Sequence, residues 1–276
     1  MIPPLAHDVF DVKKKIVIVT GGLGQLGQQF SLALIQRGAR VVIFDQGVEP
    51  DHKPGGLCTN ASDDQLLLLR ADVTERKSLE TALAQVNSKW GVPVGLINAA
   101  ALDSPPNASV EENGPFENYP EQSWDQILDV NLKGVFLCCQ VVGAQMASVK
   151  QGSIINIGSI YGMVSPDQRI YEYRRSGGEA FHKPIAYSAS KSGLLNLSRY
   201  LATYWAQCNV RVNMITLGGV FNKQDQAFLT AYCSRVPMGR MAREEEYNGA
   251  IVFMLSEASA YMTGSNLVID GGWTAW

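Results

Sequence analysis

Cysteine and histidine are scarce in this chain of 276 residues, with five and three copies. Five cysteines cannot all pair, no Cys-x-x-Cys spacing occurs, and only Cys138 and Cys139 lie close together. A disulfide framework and a thiolate metal site are excluded as organising features, and reduced thiols point to a cytoplasmic protein. His7, His52 and His182 are widely spaced, so a zinc site or a Ser-His-Asp triad has little raw material. No metal is expected. Charge is modest too: 23 basic against 26 acidic residues leave −3, without a long basic run, which argues against a nucleic-acid partner. No apolar run reaches the ~20 residues of a membrane span. The most apolar long stretch, 134–149, is interrupted by Gln140 and Gln145. The opening MIPPLAHDVFDVKKK lacks the charged-then-apolar order of a signal peptide. No repeat or linker divides the chain, so residues 1–276 read as one domain, able to bury roughly three quarters of its unfolded surface.

What the chain does have is glycine, 26 residues or about 9% against a usual ~7%, and a regular alternation of patterns. Short apolar runs, several of them β-branched, at 13–20, 39–45, 65–73, 93–100, 152–159, 209–219 and 266–272 read as buried parallel strands. Helical spacing marks 25–37, 75–88, 123–149 (with Ser123 as N-cap), 185–207, 223–234 and 243–256. The segments 46–65, 102–122 and 162–183 are polar or rich in turn residues and read as loops. Strands alternating with helices imply right-handed βαβ units. The expected fold is therefore α/β: a doubly wound parallel sheet of about seven strands with helices on both faces.

The first strand runs straight into TGGLGQLG (20–27), which opens a helix. Gly21, Gly24 and Gly27 would let the backbone approach a pyrophosphate, and the helix N-terminus supplies free N–H groups. A plain turn needing positive φ is the alternative. Asp45 ends the second strand 18 residues after Gly27. A carboxylate there accepts hydrogen bonds from both hydroxyls of an adenosine ribose and repels a 2′-phosphate. Its neighbour Gln46 is not an arginine, so NAD is expected rather than NADP. Further on, YSASK puts Tyr187 and Lys191 at i and i+4, on one helix face. A phenol titrates near pH 10 by itself, and a neighbouring ammonium favours its ionised form. Lys191 and a cationic nicotinamide would let Tyr187 act as acid or base near neutrality.

These segments, in this order, resemble the short-chain dehydrogenase/reductase family in its single-domain Rossmann branch, from Lys15 to Trp276. The resemblance implies a catalytic set of Ser159 (in INIGS), Tyr187 and Lys191, with Asn131 (in VNLKG) supporting a proton relay. It implies that Asp72 and Val73 lie beside an adenine. Asn98, Ala99 and Ala100 (in INAA) follow the fourth strand at the cofactor, and Gly218 and Val220 stand near its carboxamide. Gln25 and Leu26 complete the glycine loop, and IDGG (269–272) matches the family's terminal strand motif. The implied reaction is hydride transfer between nicotinamide C4 and an alcohol or carbonyl carbon. Tyr187 would take the hydroxyl proton, Ser159 would hold the substrate oxygen, and Lys191 would bind the nicotinamide ribose.

Some positions depart from the family pattern. Glycine at 24 rather than 25 resembles the extended branch of epimerases and dehydratases, yet the 85 residues after Lys191 are too few for that branch's substrate domain. Leu217-Gly218 replaces the usual Pro-Gly, and Asn222 stands where a threonine is usual.

Ser159 and Tyr187 are 28 residues apart, more than the family norm. The inserted segment 162–183 is read as a lid or specificity loop. With Tyr161 beside it, Tyr171 and Tyr173 would stack on a substrate while Arg174 and Arg175 grip a phosphate or carboxylate. A subunit contact or a solvated loop is the alternative. The stretch from about Arg169 to Trp276 also resembles a subgroup of bacterial surface-sugar biosynthesis, which implies a sugar or sugar phosphate as substrate. The helices 123–149 and 185–207 resemble the family's subunit interfaces, so a homotetramer or homodimer is expected, with the WTAW ending able to cross between subunits. Two other functions stay open: an NAD-retaining sugar epimerase or dehydratase, and a non-enzymatic NAD-binding regulator.

Overall fold

The computed structural model describes residues 8–49, 61–104, 109 and 111–276. His7, His52, the start of the N-terminal segment and most of the 46–65 loop lie outside the described residues.

The seven strands are β1 Ile16–Thr20, β2 Arg40–Asp45, β3 Leu66–Arg70, β4 Gly95–Asn98, β5 Gly152–Ser159, β6 Val210–Leu217 and β7 Asn266–Ile269. They form one parallel sheet in the order β3-β2-β1-β4-β5-β6-β7. Strand β1 is flanked by β2 (Val17 opposite Val41) and β4 (Val17 opposite Gly95). The winding direction therefore reverses between β1 and β4, and a crevice opens beyond their carboxyl ends. IVIVT of β1 is buried on both faces, which is why it reads as a continuous apolar run and not as an alternating one.

The pleat sends alternate residues into two cores. Ile16, Ile18, Val42 and Ile154 meet α2 (Arg76–Lys89), α3 (Glu121–Ser148) and the C-terminal half of the helix Ile185–Trp205 on one face. Val17, Val19, Val41 and Ile155 meet Phe30 and Leu34 of α1 (Gln25–Gln36) and a late C-terminal helix on the other. The remaining helices are α4 Glu172–Ser176, α5 Ile185–Trp205, α6 Gln226–Cys233 and α7 Asn248–Leu255.

Helix α3 is long and apolar enough to cross a membrane, with a mean hydropathy of 1.5. The run 134–149 looked too short because it is only the second half of a 28-residue helix. Its Val135, Cys138, Val142 and Met146 are spent on the sheet. The helix starts two residues before Ser123, with Pro120 at its N-cap. Ser123 is buried inside the first turn and donates to Glu112 Oε2 at 2.5 Å. Two widened turns, Asp129–Gly134 and Cys139–Gly143, interrupt the α-helical pattern of α3.

The segment 162–183 is more ordered than its polar composition implies. It holds a turn of 3-10 helix at Gln168–Tyr171 and then α4. Ile170 and Tyr171 anchor it in a third apolar cluster with Tyr161, Tyr232 and Trp273. Two buried side chains in about twenty residues are too few to show a period, so this packing is invisible in the sequence.

Candidate active site

The glycine loop begins where β1 stops. Thr20 Oγ1 accepts the N–H groups of Ala99 (3.1 Å) and Ala100 (3.2 Å), tying the ends of β1 and β4 across the crevice. Gly21 sits at φ +64°, and a Cβ there would come within 2.7 Å of Ala100 Cα. At Gly27 a Cβ would meet the Gly21 carbonyl oxygen at 2.2 Å. Only glycine lets the loop fold this tightly onto α1, whose N-cap, Gly24, offers no side-chain cap. The first N–H groups of α1 are thus left for a ligand.

Gly21 and Gly24 line a cleft of about 690 Å³ together with Asp45, Gln46, Asp72, Val73, Ala99, Ala100 and the first turns of α3. The Asp45 carboxylate accepts Leu23 N–H (3.1 Å) and Gly47 N–H (2.9 Å). A carboxylate has about four acceptor sites, so two remain for sugar hydroxyls. Asp72 Oδ1 is held by the Thr74 N–H and hydroxyl at 2.8 and 2.7 Å. An apolar wall, a ribose-sized acceptor and a bare helix N-terminus fit a dinucleotide.

A second cavity of about 330 Å³ adjoins the first through Ala99 and Ala101. Ser159, Tyr161, Tyr187, Lys191, Gly218 and Val220 all line it, as does Leu26. Ser159 ends β5, and Tyr187 and Lys191 stand one turn apart on α5. Ser159 Oγ accepts the Tyr161 N–H at 3.2 Å. The Lys191 ammonium donates to the Ile157 carbonyl at 2.8 Å and lies 5.8 Å from the Tyr187 ring centre. Burial, reinforced by the Asp103 carboxylate, pushes the Tyr187 phenol up to about 12, and a hydrogen bond to Ser159 opposes this. Burial also lowers Lys191 to about 8, against the pull of Asp103. Without a cationic cofactor the phenol is thus held protonated at neutral pH.

Asn131 lies one layer deeper, fully buried in the first widened turn of α3. Its side chain clasps the Leu102 backbone (2.7 Å from N–H, 2.8 Å to the carbonyl) and donates to Ser190 Oγ at 3.1 Å. Asn98 is also beneath the cleft, donating to Asn156 Oδ1 at 2.8 Å. Gln25 is not on either wall. It bridges to the Phe221 carbonyl at 3.0 Å.

Besides Gln25, four expected residues are not brought to the site. Asn222 is exposed, and its N–H donates to Gln224 Oε1, whose own residue takes the wall position. The Tyr173 hydroxyl donates to Asp225 Oδ2 at 2.7 Å, outside the pocket. Arg174 pairs with Glu179 and stacks on Phe181 at 3.8 Å. Arg175 binds Glu172 and the carbonyls of Gln168 (2.7 Å) and Phe181 (3.0 Å). Both guanidiniums therefore brace the inserted segment and do not line the pocket. Helix α4 keeps them off the wall, whereas Tyr171, in the turn before it, does line the pocket. Missed by sequence reasoning were Asp103, Lys183 and Tyr232, which also line the pocket. They lie on loops and on a helix far apart in the chain, and no spacing joins them.

The family model described as short chain dehydrogenase matches residues 15–173, and a second, described as Enoyl-(Acyl carrier protein) reductase, matches 175–274. The chain belongs to the short-chain dehydrogenase/reductase family. Among relatives of this dehydrogenase/reductase chain is an NAD-dependent glycerol dehydrogenase of Listeria innocua, 28% identical over 96% of each chain. A D-threitol dehydrogenase of Mycolicibacterium smegmatis is 31% identical, covering 96% of this chain and 95% of its own. A short chain dehydrogenase of Leptospira borgpetersenii, solved with bound NAD+, superposes with a TM-score of 0.83 at 30% identity. That match covers 98% of this chain and 97% of the other. The parallel sheet with helices on both faces is the Rossmann architecture of these oxidoreductases.

Proposed function

We propose that this oxidoreductase interconverts an alcohol of a neutral polyol and the corresponding carbonyl, using NAD in preference to NADP. The observation that carries the reading is one pocket, lined by Ser159, Tyr187 and Lys191, that opens into the cleft holding Asp45. A dinucleotide bound there supplies a hydride acceptor at its nicotinamide. In oxidation the substrate hydroxyl gives its proton to the Tyr187 phenolate, and Ser159 holds the same oxygen by hydrogen bond. The charge of Lys191 favours the phenolate. Asn131 holds the Leu102 backbone and Ser190 of α5, contacts that agree with its reading as the support of a proton relay. Asp45 holds the adenosine ribose, Asp72 and Val73 border the adenine, and Gly218 and Val220 border the far end of the cofactor. A neutral substrate agrees with Arg174 and Arg175 lying off the pocket wall, and with the polyols named for the glycerol and threitol dehydrogenases.

The test is fluorescence of NADH formed from NAD+ or NADP+ with glycerol, threitol and arabinitol, against sugar phosphates. Steady NADH production from at least one polyol, and slower turnover with NADP+, is expected. A tightly retained cofactor with no net NADH from any polyol overturns the reading and points to internal redox isomerisation.

The same reading has the protein work as a homotetramer or homodimer. Phe136 of α3 and Tyr200 and Tyr204 of α5 lie exposed. The two tyrosines stack on each other at 6.0 Å, and an open apolar groove runs between Leu132, Phe136 and Leu197. Sedimentation at micromolar concentration should show a dimer or tetramer, and a monomer would remove this part of the proposal.

A further inference from the structure

Three charged side chains line the pocket over Tyr187: Asp103, Lys183 and Lys191. Lys191 is committed to the Ile157 carbonyl. The other two face each other across the mouth. Asp103 stands on the loop after β4, and Lys183 is the last residue of the inserted segment, 80 positions later. The Lys183 ammonium donates to Asp103 Oδ1. It also lies over the Tyr187 ring at 5.1 Å and the Tyr161 ring at 5.9 Å. Its backbone is clamped by Gln168, which accepts the Lys183 N–H at 2.9 Å and donates to the Lys183 carbonyl at 3.3 Å. The Lys183 side chain is 11% exposed and that of Asp103 62%. Tyr161 lines the same cavity with its ring, while its hydroxyl is buried against Tyr171.

Stability alone does not account for this set. A half-exposed ion pair contributes little to stability, and burying a lysine stem beside it costs desolvation. The arrangement does suit a ligand that both donates and accepts. A carboxylate only accepts, an ammonium only donates, and a hydroxyl does both. An alcohol group beside the pair can therefore donate to Asp103 while accepting from Lys183. An anionic group could satisfy Lys183 only by confronting the Asp103 carboxylate, which selects against it. A monoalcohol, with its single hydroxyl engaged at Tyr187 and Ser159, would leave both groups without a ligand.

We propose that Asp103 and Lys183 recognise a second hydroxyl of the substrate, selecting polyols over monoalcohols and over sugar acids or phosphates. The proposal rests on the polyol reading above and assigns its specificity to named residues.

The experiment measures kcat and KM with NAD+ for threitol, 2-butanol and threonate, in the wild type, Asp103→Asn and Lys183→Met. Asp103→Asn changes an exposed carboxylate, so it does not threaten folding. NADH binding followed by fluorescence reports that the cleft is intact in each variant. For threitol, each variant should raise KM about tenfold or more, as expected for losing a hydrogen bond to a charged group, with a smaller fall in kcat. The preference for threitol over 2-butanol should shrink by the same factor. Asp103→Asn, which releases the ammonium, should also improve threonate relative to threitol at least about tenfold, and Lys183→Met should not. The inference is overturned if the wild type oxidises threitol and either variant keeps its KM. It is equally overturned if turnover of 2-butanol falls in step with that of threitol, the mark of a merely structural pair. A wild type that oxidises no polyol at all removes the underlying reading, an outcome visible before any variant is measured.

Discussion

Tyr187→Phe is expected to lower kcat for polyol oxidation by about three orders of magnitude, while the variant still folds and binds NADH. Phenylalanine keeps the ring that lies 5.1 Å from the Lys183 ammonium and 5.8 Å from that of Lys191. Only the oxygen is lost, and with it the acceptor of the substrate proton. The direction of the pH dependence follows from the same group. Burial and the Asp103 carboxylate raise the phenol to about 12 in the protein alone, so the deprotonated base is the scarce form at neutral pH. Oxidation, which needs the phenolate, should speed up as pH rises. Carbonyl reduction, which needs the phenol, should slow down. The check is a pair of kcat/KM profiles in the two directions, with stopped assays of the variant. A Tyr187→Phe enzyme within about tenfold of wild type would remove Tyr187 as acid and base.

The second large effect is on cofactor choice. Asp45→Asn should shift the ratio of kcat/KM for NAD over NADP by at least about a hundredfold toward NADP. Two contributions act together. The carboxylate loses its charge-assisted bonds to the ribose hydroxyls, each of about 1.5–3 kcal/mol, and the repulsion of a 2′-phosphate disappears. Asparagine is the informative substitution because the side chain also has a structural duty. Asp45 accepts the N–H groups of Leu23 and Gly47, and the amide oxygen of asparagine can retain one of them. Alanine would open the turn as well as change the charge. Initial rates with both cofactors at fixed polyol decide the matter. A wild type that uses both equally, or an Asn variant that keeps the original ratio, would refute the role given to Asp45.

The parts of the site that were legible in the sequence are those built by local rules. IVIVT followed by TGGLGQLG is a strand, a turn and a helix start in about a dozen residues. The close approaches at Gly21 and Gly27 follow from that local geometry. Tyr187 and Lys191 share a helix face because four residues make about one turn. Where the reading was off, the reason is consistent. Asn222 sits in the correct loop but points to solvent, because Gln224 folds back to accept its N–H. Arg174 and Arg175 belong to a short helix whose two buried neighbours, Ile170 and Tyr171, left no periodic trace. Once that helix packs, Glu172, Glu179 and nearby carbonyls are the partners in reach. Ser123 resembled a helix cap, but the chain had already entered α3 at Glu121.

By itself, then, the sequence determined the alternating parallel architecture, the glycine turn at the end of β1 and the tyrosine–lysine pair on α5, along with the acidic residue at the end of β2. Each of these rests on interactions within about a dozen residues or on the periodicity of a single element. Only the tertiary structure decided which side chains line one pocket. Asp103, Tyr161, Lys183 and Tyr232 come from four separate segments, and their meeting depends on how loops close over the sheet. Such contacts are set by packing and by the exclusion of water from a shared cavity, to which no fixed spacing along the chain corresponds.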